Sequence, residues 1–166
     1  MENIHNGFFE HKNEDISKLP KGLNAFQNGD ILLAKVTPCF ENGNICIATE
    51  ICNEVGLCST EIFVLRPNKD IVSPEYLLLL LQNSYFKQEA KAYMRGTGGL
   101  KRIPANWFVN RKFILPPIRI QDEIVAYIKD FEKSNNQILD KIYSEIKNLQ
   151  KYKQSLISKA IVQDLF

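Results

Sequence analysis

Apolar positions divide this chain into two regimes. Up to Pro116-Pro117 they come in short runs broken by Gly, Pro, Asn and Asp. From Gln121 to Gln163 there is no further Pro or Gly, and apolar residues recur at alternating four- and three-residue steps. Ile124, Ile128, Phe131, Ile138, Ile142, Leu149, Tyr152 and Leu156 mark that stripe. It predicts a helix of about 60 Å at 1.5 Å rise per residue. A domain of this size has no internal use for such a rod, so it is expected to dock on a partner helix. Continuing the steps from Phe131 places Asn135 in the seam, where a buried Asn fixes register and strand number. Glu145 falls at a later seam position, with Ile146 beside it.

The first regime predicts strands and one helix. Asp30 to Val36 is aliphatic after the turn Gln27-Asn28-Gly29. Glu41-Asn42-Gly43-Asn44 is a hairpin signal, with Ile45 to Ile51 as the returning strand and Cys58 to Leu65 as a third. Ser73-Pro74 starts a helix, Ser at the cap and Pro at the first position, expected to run to about Met94. Gly96-Thr97-Gly98-Gly99 then predicts a mobile loop whose backbone can approach a ligand. The fold class is α+β: a small mixed domain over residues 1–117, then a long C-terminal helix over 118–166.

Composition changes this picture little. The chain has 166 residues, 45% hydrophobic and 24% charged, an ordinary balance. The run Tyr76 to Leu81 is too short for a membrane span, and the N-terminal residues show no apolar signal region, so a cytoplasmic protein is expected. Cys39, Cys46, Cys52 and Cys58 lack the close pairing of a zinc site, and the histidines are only His5 and His11. Small buried thiols are expected, with no metal and no disulfide.

Charge changes more. Residues 1–86 hold six basic and eleven acidic side chains, whereas residues 87–112 hold seven basic ones against Glu89 alone. A local positive field suits a polyanion, nucleic acid being the commonest; a solvated helix end followed by a basic strand edge is the plain alternative. Arg95, Thr97, Lys101, Arg102 and Asn106 around the glycines, with Lys35, Thr37, Asn42 and Asn44 around the hairpin signal, are the candidate DNA contacts. Arg and Lys match guanine edges or phosphates, and Asn matches adenine. The competing roles are turn formation for Asn42 and Asn44 and surface solvation for the cations. Trp107 and Phe108 are expected to anchor the connection in the core.

Catalytic constellations are missing. Leu115-Pro116-Pro117-Ile118 lacks the polar and aromatic flanks with which an amino-methyltransferase holds its target. Glu145 and Lys147 have no second carboxylate for a metal-dependent nuclease, and neither histidine adjoins a nucleophile. Neither GxxxxGK[ST] nor GxGxxG occurs. No catalytic residue is assigned.

Several segments, in order, resemble one family. Gly29 to Gly43 is similar to the start of the target recognition domain core in type I restriction-modification specificity (S) subunits. Ser59-Thr60-Glu61 into Phe63-Val64-Leu65-Arg66-Pro67 resembles the next strand, and Pro74-Glu75-Tyr76-Leu77 the helix start. The Gly96 to Ile103 loop, the Leu115 to Ile118 junction and the helix ending in Ser155-Leu156-Ile157-Ser158-Lys159-Ala160 also fit. The resemblance implies a non-catalytic subunit that reads a half-site in double-stranded DNA and docks methyltransferase (M) subunits. S-adenosylmethionine, ATP and Mg are then expected on the M and restriction motor (R) subunits, not on this chain. It also implies that the long helix is a spacer, pairing as an antiparallel coiled coil; the competing reading is that its apolar face packs on M subunits or on the chain's own domain.

Three departures stand beside it. The chain has one recognition domain and one spacer helix where a full S subunit has two, so a homodimer is expected to restore the arrangement. Only about 28 residues precede Gly29, a shortened opening. The family's frequent Glu-Gln after the Pro-Pro motif is Ile120-Gln121 here. A coiled-coil interaction protein without a DNA role, or a truncated cassette silent until recombined, remain the alternatives.

Overall fold

The structure is a computed structural model that describes residues 3–10, 12–15, 17, 19–52 and 55–163; His11 lies outside the described residues. The elements, in chain order, are β1 (Asn24–Gln27), β2 (Ile31–Ala34), β3 (Ile45–Ile47), β4 (Val55–Cys58), β5 (Ile62–Leu65), α1 (Pro74–Gln82), α2 (Ser84–Tyr93), β6 (Arg95–Thr97), β7 (Leu100–Arg102), α3 (Ala105–Val109) and α4 (Ile118–Gln163). Two compact units result, residues 1–125 and residues 126–166, so the first two turns of α4 belong to the first. The expected α+β class is the one observed.

Strand β2 organises the first unit because all four of its residues, Ile-Leu-Leu-Ala, are buried. It lies between β3 and β5, antiparallel to both. Side chains alternate across a strand, so β2 feeds two cores. Ile31 and Leu33 enter one with Phe40, Leu81, Phe86, Ala90 and Ile103; Leu32 enters the other with Phe26, Cys46, Cys58 and Ile62. Each fully buried aliphatic or aromatic residue contributes about 1.5–3 kcal/mol. The turn into β2 is held by Asp30, only 2% exposed, whose carboxylate accepts from Gln27 N at 2.8 Å and from Arg66 Nε and Nη2 at 2.8 and 2.7 Å. That guanidinium holds the Asp30 carboxyl below its usual range, against the opposing effect of burial.

Four local expectations are corrected. The stretch 58–65 is not one strand: the Ser59 hydroxyl accepts from Glu61 N at 3.2 Å, and this turn puts β4 with β1 and β5 with β2. The Glu41–Asn44 signal does not close a two-residue hairpin. The whole segment 35–44 connects β2 to β3, making room for Phe40 to be buried against Phe86, and of Asn42 and Gly43 only Gly43 has positive φ. β3 ends at Ile47, and Glu50, at φ 56°, turns the chain away soon after. The helix from Pro74 breaks at Asn83, extended at φ −60° and ψ 140°, whose side chain accepts from Tyr85 N and caps α2. The break lets Leu81 of α1 and Phe86 of α2 enter one core.

Ser73 caps α1, accepting from Tyr76 N at 3.2 Å, with Pro74 next, as the Ser-Pro pair predicts. Trp107 and Phe108 are half-buried against the helix-side core, Phe108 stacked on Phe63 and Trp107 on Tyr93, so they anchor the connection as expected. Burial pushes the Cys46 thiol up to about 12 and the Cys58 thiol to about 11, leaving both as neutral small hydrophobes. Cys39 is only half-buried and Cys52 is exposed, so burial holds for two of the four.

The second unit is helical. α4 totals 46 residues, about 69 Å. Phe131, Ile138, Ile142, Leu149, Tyr152 and Leu156 are 45–67% exposed in this single chain, and Asn135 is exposed beside them. Ile124 and Ile128 are half-buried. An apolar stripe left open over so many turns lacks the core that would stabilise it alone.

Candidate nucleic-acid interface

The glycine segment expected as a mobile loop is an ordered hairpin. β6 and β7 pair with Arg95 opposite Arg102, Gly96 opposite Lys101 and Thr97 opposite Leu100. Gly98 and Gly99 form the two-residue tip with φ of 63° and 81°, the sign that tight primed turns require. Gly96 is needed for a different reason. A Cβ there would lie 2.1 Å from the Leu100 carbonyl oxygen.

What orders the hairpin comes from far back in the sequence. Val36 bridges Arg102, Thr37 N donates to Lys101 O at 2.9 Å, and Ile103 N donates to Lys35 O at 2.9 Å. Residues 35–37 thus continue β2 as a short edge that receives β7, and buried Ile103 fastens the base. The Thr37 hydroxyl completes the dock, donating to Gly99 O at 2.7 Å and accepting from Lys101 N at 2.9 Å. Thr37 is therefore a buried positioning group, with both hydroxyl functions occupied inside the protein.

Charge on the hairpin is one-sided. Arg95, Lys101 and Arg102 are exposed, and Arg95 faces Arg102 directly across the strands, an arrangement that costs free energy without an anion nearby. Part of that anion is internal: Arg102 Nε lies 2.8 Å from Glu61 Oε2. The Arg102 hydrogen bond holds the Glu61 carboxyl below its usual range, helped by the nearby charge of Lys35. Lys35 itself is half-buried, its ammonium 5.4 Å from the Phe63 ring centre. Arg95 and Lys101 make no salt bridge among the described residues.

The structure brings together Lys35, Thr37, Lys101 and Arg102, which the sequence separates into two groups. Thr97 is exposed beside the tip. Asn42 and Asn44 belong instead to the turn before β3, where Lys87 and Lys91 of α2 approach: the Lys87 ammonium is 3.3 Å from where a Gly43 Cβ would stand, and Lys91 is 3.9 Å from Glu41. Asn106 is exposed on α3, its carbonyl accepting from Asn110 Nδ2. Arg111 is not a free cation, being paired with Glu89 at 2.6 Å and lying over Trp107 and Phe113. Sequence reasoning missed Glu61 as the partner of Arg102 and Gln121 as a buried group. Neither has a local signal.

Chemically the site is a preorganised cationic finger with a backbone-rich tip. Among the described residues no three His, Cys, Asp or Glu side chains cluster to hold a metal ion, and no helix is long and apolar enough to cross a membrane. Such a finger suits phosphate and base-edge contact.

Residues 6–148 match the family model of the type I restriction modification DNA specificity domain. The chain belongs to this family. It is similar to the type I restriction enzyme EcoAI specificity subunit of Escherichia coli, 40% identical over 105 residues, covering 63% of this chain and 18% of that protein. It is also similar to the EcoEI specificity subunit of Escherichia coli, 36% identical over 109 residues, covering 66% of this chain and 18% of that protein. The crystal structure of the HsdS subunit from Thermoanaerobacter tengcongensis shares the fold, with TM-score 0.69 and 23% identity over 82% of this chain and 35% of that one. The chain thus spans about a fifth to a third of the length of these relatives. In this specificity-domain family setting, the β6–β7 hairpin and the 35–37 edge lie inside the matched region, as does most of α4.

Proposed function

We propose that this chain is the DNA-reading component of a type I restriction-modification assembly, contributing recognition and not catalysis. The observation that carries the reading is the docked, cationic β6–β7 hairpin. Arg95, Thr97, Lys101 and the backbone of the Gly98–Gly99 tip contact phosphates and base edges of double-stranded DNA, with Lys35 beside them. Arg102 joins them when DNA phosphate replaces Glu61. Asn42, Asn44 and Asn106 are secondary contacts, supported only by exposure or half-exposure and residue type.

M subunits dock on the chain and carry S-adenosylmethionine; R subunits bring ATP and Mg through the complex. The open stripe of α4, from Ile124 to Leu156 with Asn135 in its seam, pairs with the same helix of a second copy as an antiparallel coiled coil. Family membership and that unpartnered apolar face support this arrangement. Two identical readers related by a two-fold axis recognise an inverted repeat.

Co-expression with candidate M subunits, followed by mapping of methylated bases, tests the proposal. The expected result is a single bipartite motif with inverted half-sites. Absence of both DNA binding and methylation in a purified complex with M subunits would leave a coiled-coil interaction protein as the better account.

A further inference from the structure

The described residues of the first unit bury three polar or charged side chains, Asp30, Thr37 and Gln121, and Gln121 is the only one of these on α4. It is fully buried in the second turn's approach to the domain. Its Oε1 accepts from Ser73 N at 3.0 Å, and its Nε2 donates to Ile71 O at 2.9 Å and to Pro116 O at 2.8 Å. The orientation of the amide is determined by these partners, since a flipped group would set its oxygen against two carbonyls.

The partners are not arbitrary core atoms. Ser73 is the N-cap of α1, and its N–H, standing at the helix start, has no acceptor within the helix, so one must come from outside it. Ile71 O lies in the strap leading into that cap, and Pro116 O lies in the turn that launches α4. One carboxamide therefore ties the start of α4, the turn before it and the start of α1, across 48 to 50 residues of chain. Val125, one turn further along the same face, is buried as well.

We propose that Gln121 is a positioning residue for two-site DNA recognition: its carboxamide clasp makes the first turns of α4 and the recognition core one piece. This rests on the proposed function, because only a paired spacer gives the clasp a spacing to preserve.

The test uses the full chain, alone and assembled with M subunits. Gln121→Met keeps the volume and removes all three hydrogen bonds; Gln121→Glu keeps the acceptor for Ser73 N but sets oxygen against the two carbonyls. In Gln121→Met, amide exchange at Ser73 and in residues 118–125 should rise about tenfold or more, while the amides of β2 keep wild-type protection. Gln121→Glu, whose carboxyl can still accept from Ser73 N, should retain more protection at Ser73 than Gln121→Met does. In the assembly, affinity for a single half-site should stay unchanged, while methylation spreads to DNA whose half-site separation differs from the wild-type optimum. A uniform rise that includes β2, unchanged exchange at Ser73, or an unchanged spacing preference would overturn the proposal. If the wild-type assembly methylates nothing, the functional reading fails, and the exchange pattern alone still decides whether the clasp exists.

Discussion

Replacing Thr37 by Val isolates the ordering of the hairpin from its charge. Val has the same branched shape and suits the extended backbone, so the change removes only the hydroxyl. Two hydrogen bonds are lost, to Gly99 O at 2.7 Å and from Lys101 N at 2.9 Å. Each contributes about 1 kcal/mol net, and Gly99 and Lys101 are exposed enough to rehydrate, so the loosening is about 1–2 kcal/mol. If the hairpin is the DNA reader, binding must now reorder it, and affinity per half-site falls roughly 5- to 30-fold. The assay is fluorescence anisotropy of the assembled complex with DNA at several salt concentrations. Because both functions of the Thr37 hydroxyl are used inside the protein and the side chain carries no charge, the slope of log K against log salt should match wild type. Lys101→Ala, by contrast, should flatten that slope by about 0.9 if one phosphate contact is lost. Wild-type affinity for Thr37→Val, or a flattened slope, would refute the assignment of Thr37 as a dock.

Two further outcomes are expected. Arg66→Met leaves the Asp30 carboxylate buried with only Gln27 N as partner, so the thermal midpoint should fall, by less than for a fully buried pair because Arg66 is itself largely exposed. Asp30 has a lowered folded pKa, so its pairing stabilises above the ordinary carboxyl range and is lost as pH falls through the folded value; the gap between variant and wild type should be widest near neutral pH and close in acid, and a pH-independent gap would contradict the pairing. Gly96→Ala forces a Cβ onto the Leu100 carbonyl, so DNA affinity should fall on the order of tenfold or more, with circular dichroism and thermal midpoint showing a largely intact core.

Local rules carried the sequence analysis wherever a neighbour decided the outcome. Ile31 to Ala34 is apolar at every position and becomes the central strand; Ser73-Pro74 becomes a cap and first turn; the four-and-three stripe becomes α4. The failures have one physical character. Asn83 reads as an ordinary polar residue inside a helical pattern, yet its side chain competes for the backbone and splits the helix. Ser59 does the same to a strand. Gly96 to Gly99 looks mobile because glycine is locally permissive, yet it is a hairpin docked on residues 35–37, with the Thr37 hydroxyl bonded to Gly99 O 62 residues away in sequence. Periodicity carries no information about a hydrogen bond of that range, so neither the Thr37 dock nor the Arg102–Glu61 pair is legible in it.

Burying a polar group costs free energy unless its bonds are replaced, so each buried polar side chain marks a place where geometry outweighs that cost. In this protein all three such groups among the described residues span joints and none lines an apolar core face. Asp30 joins the β1–β2 turn to Arg66 after β5, Thr37 joins the β2 edge to the hairpin, and Gln121 joins the α1 cap to the launch of α4. Apolar packing alone tolerates small slips between elements, whereas a hydrogen bond weakens steeply when its donor angle or distance changes. Under the proposed function, two-site recognition needs angular definition at these joints more than additional stability. Placing fully satisfied polar groups at the joints supplies it, and the same logic explains why shape-conserving substitutions at Thr37 and Gln121 should alter recognition more than they alter folding.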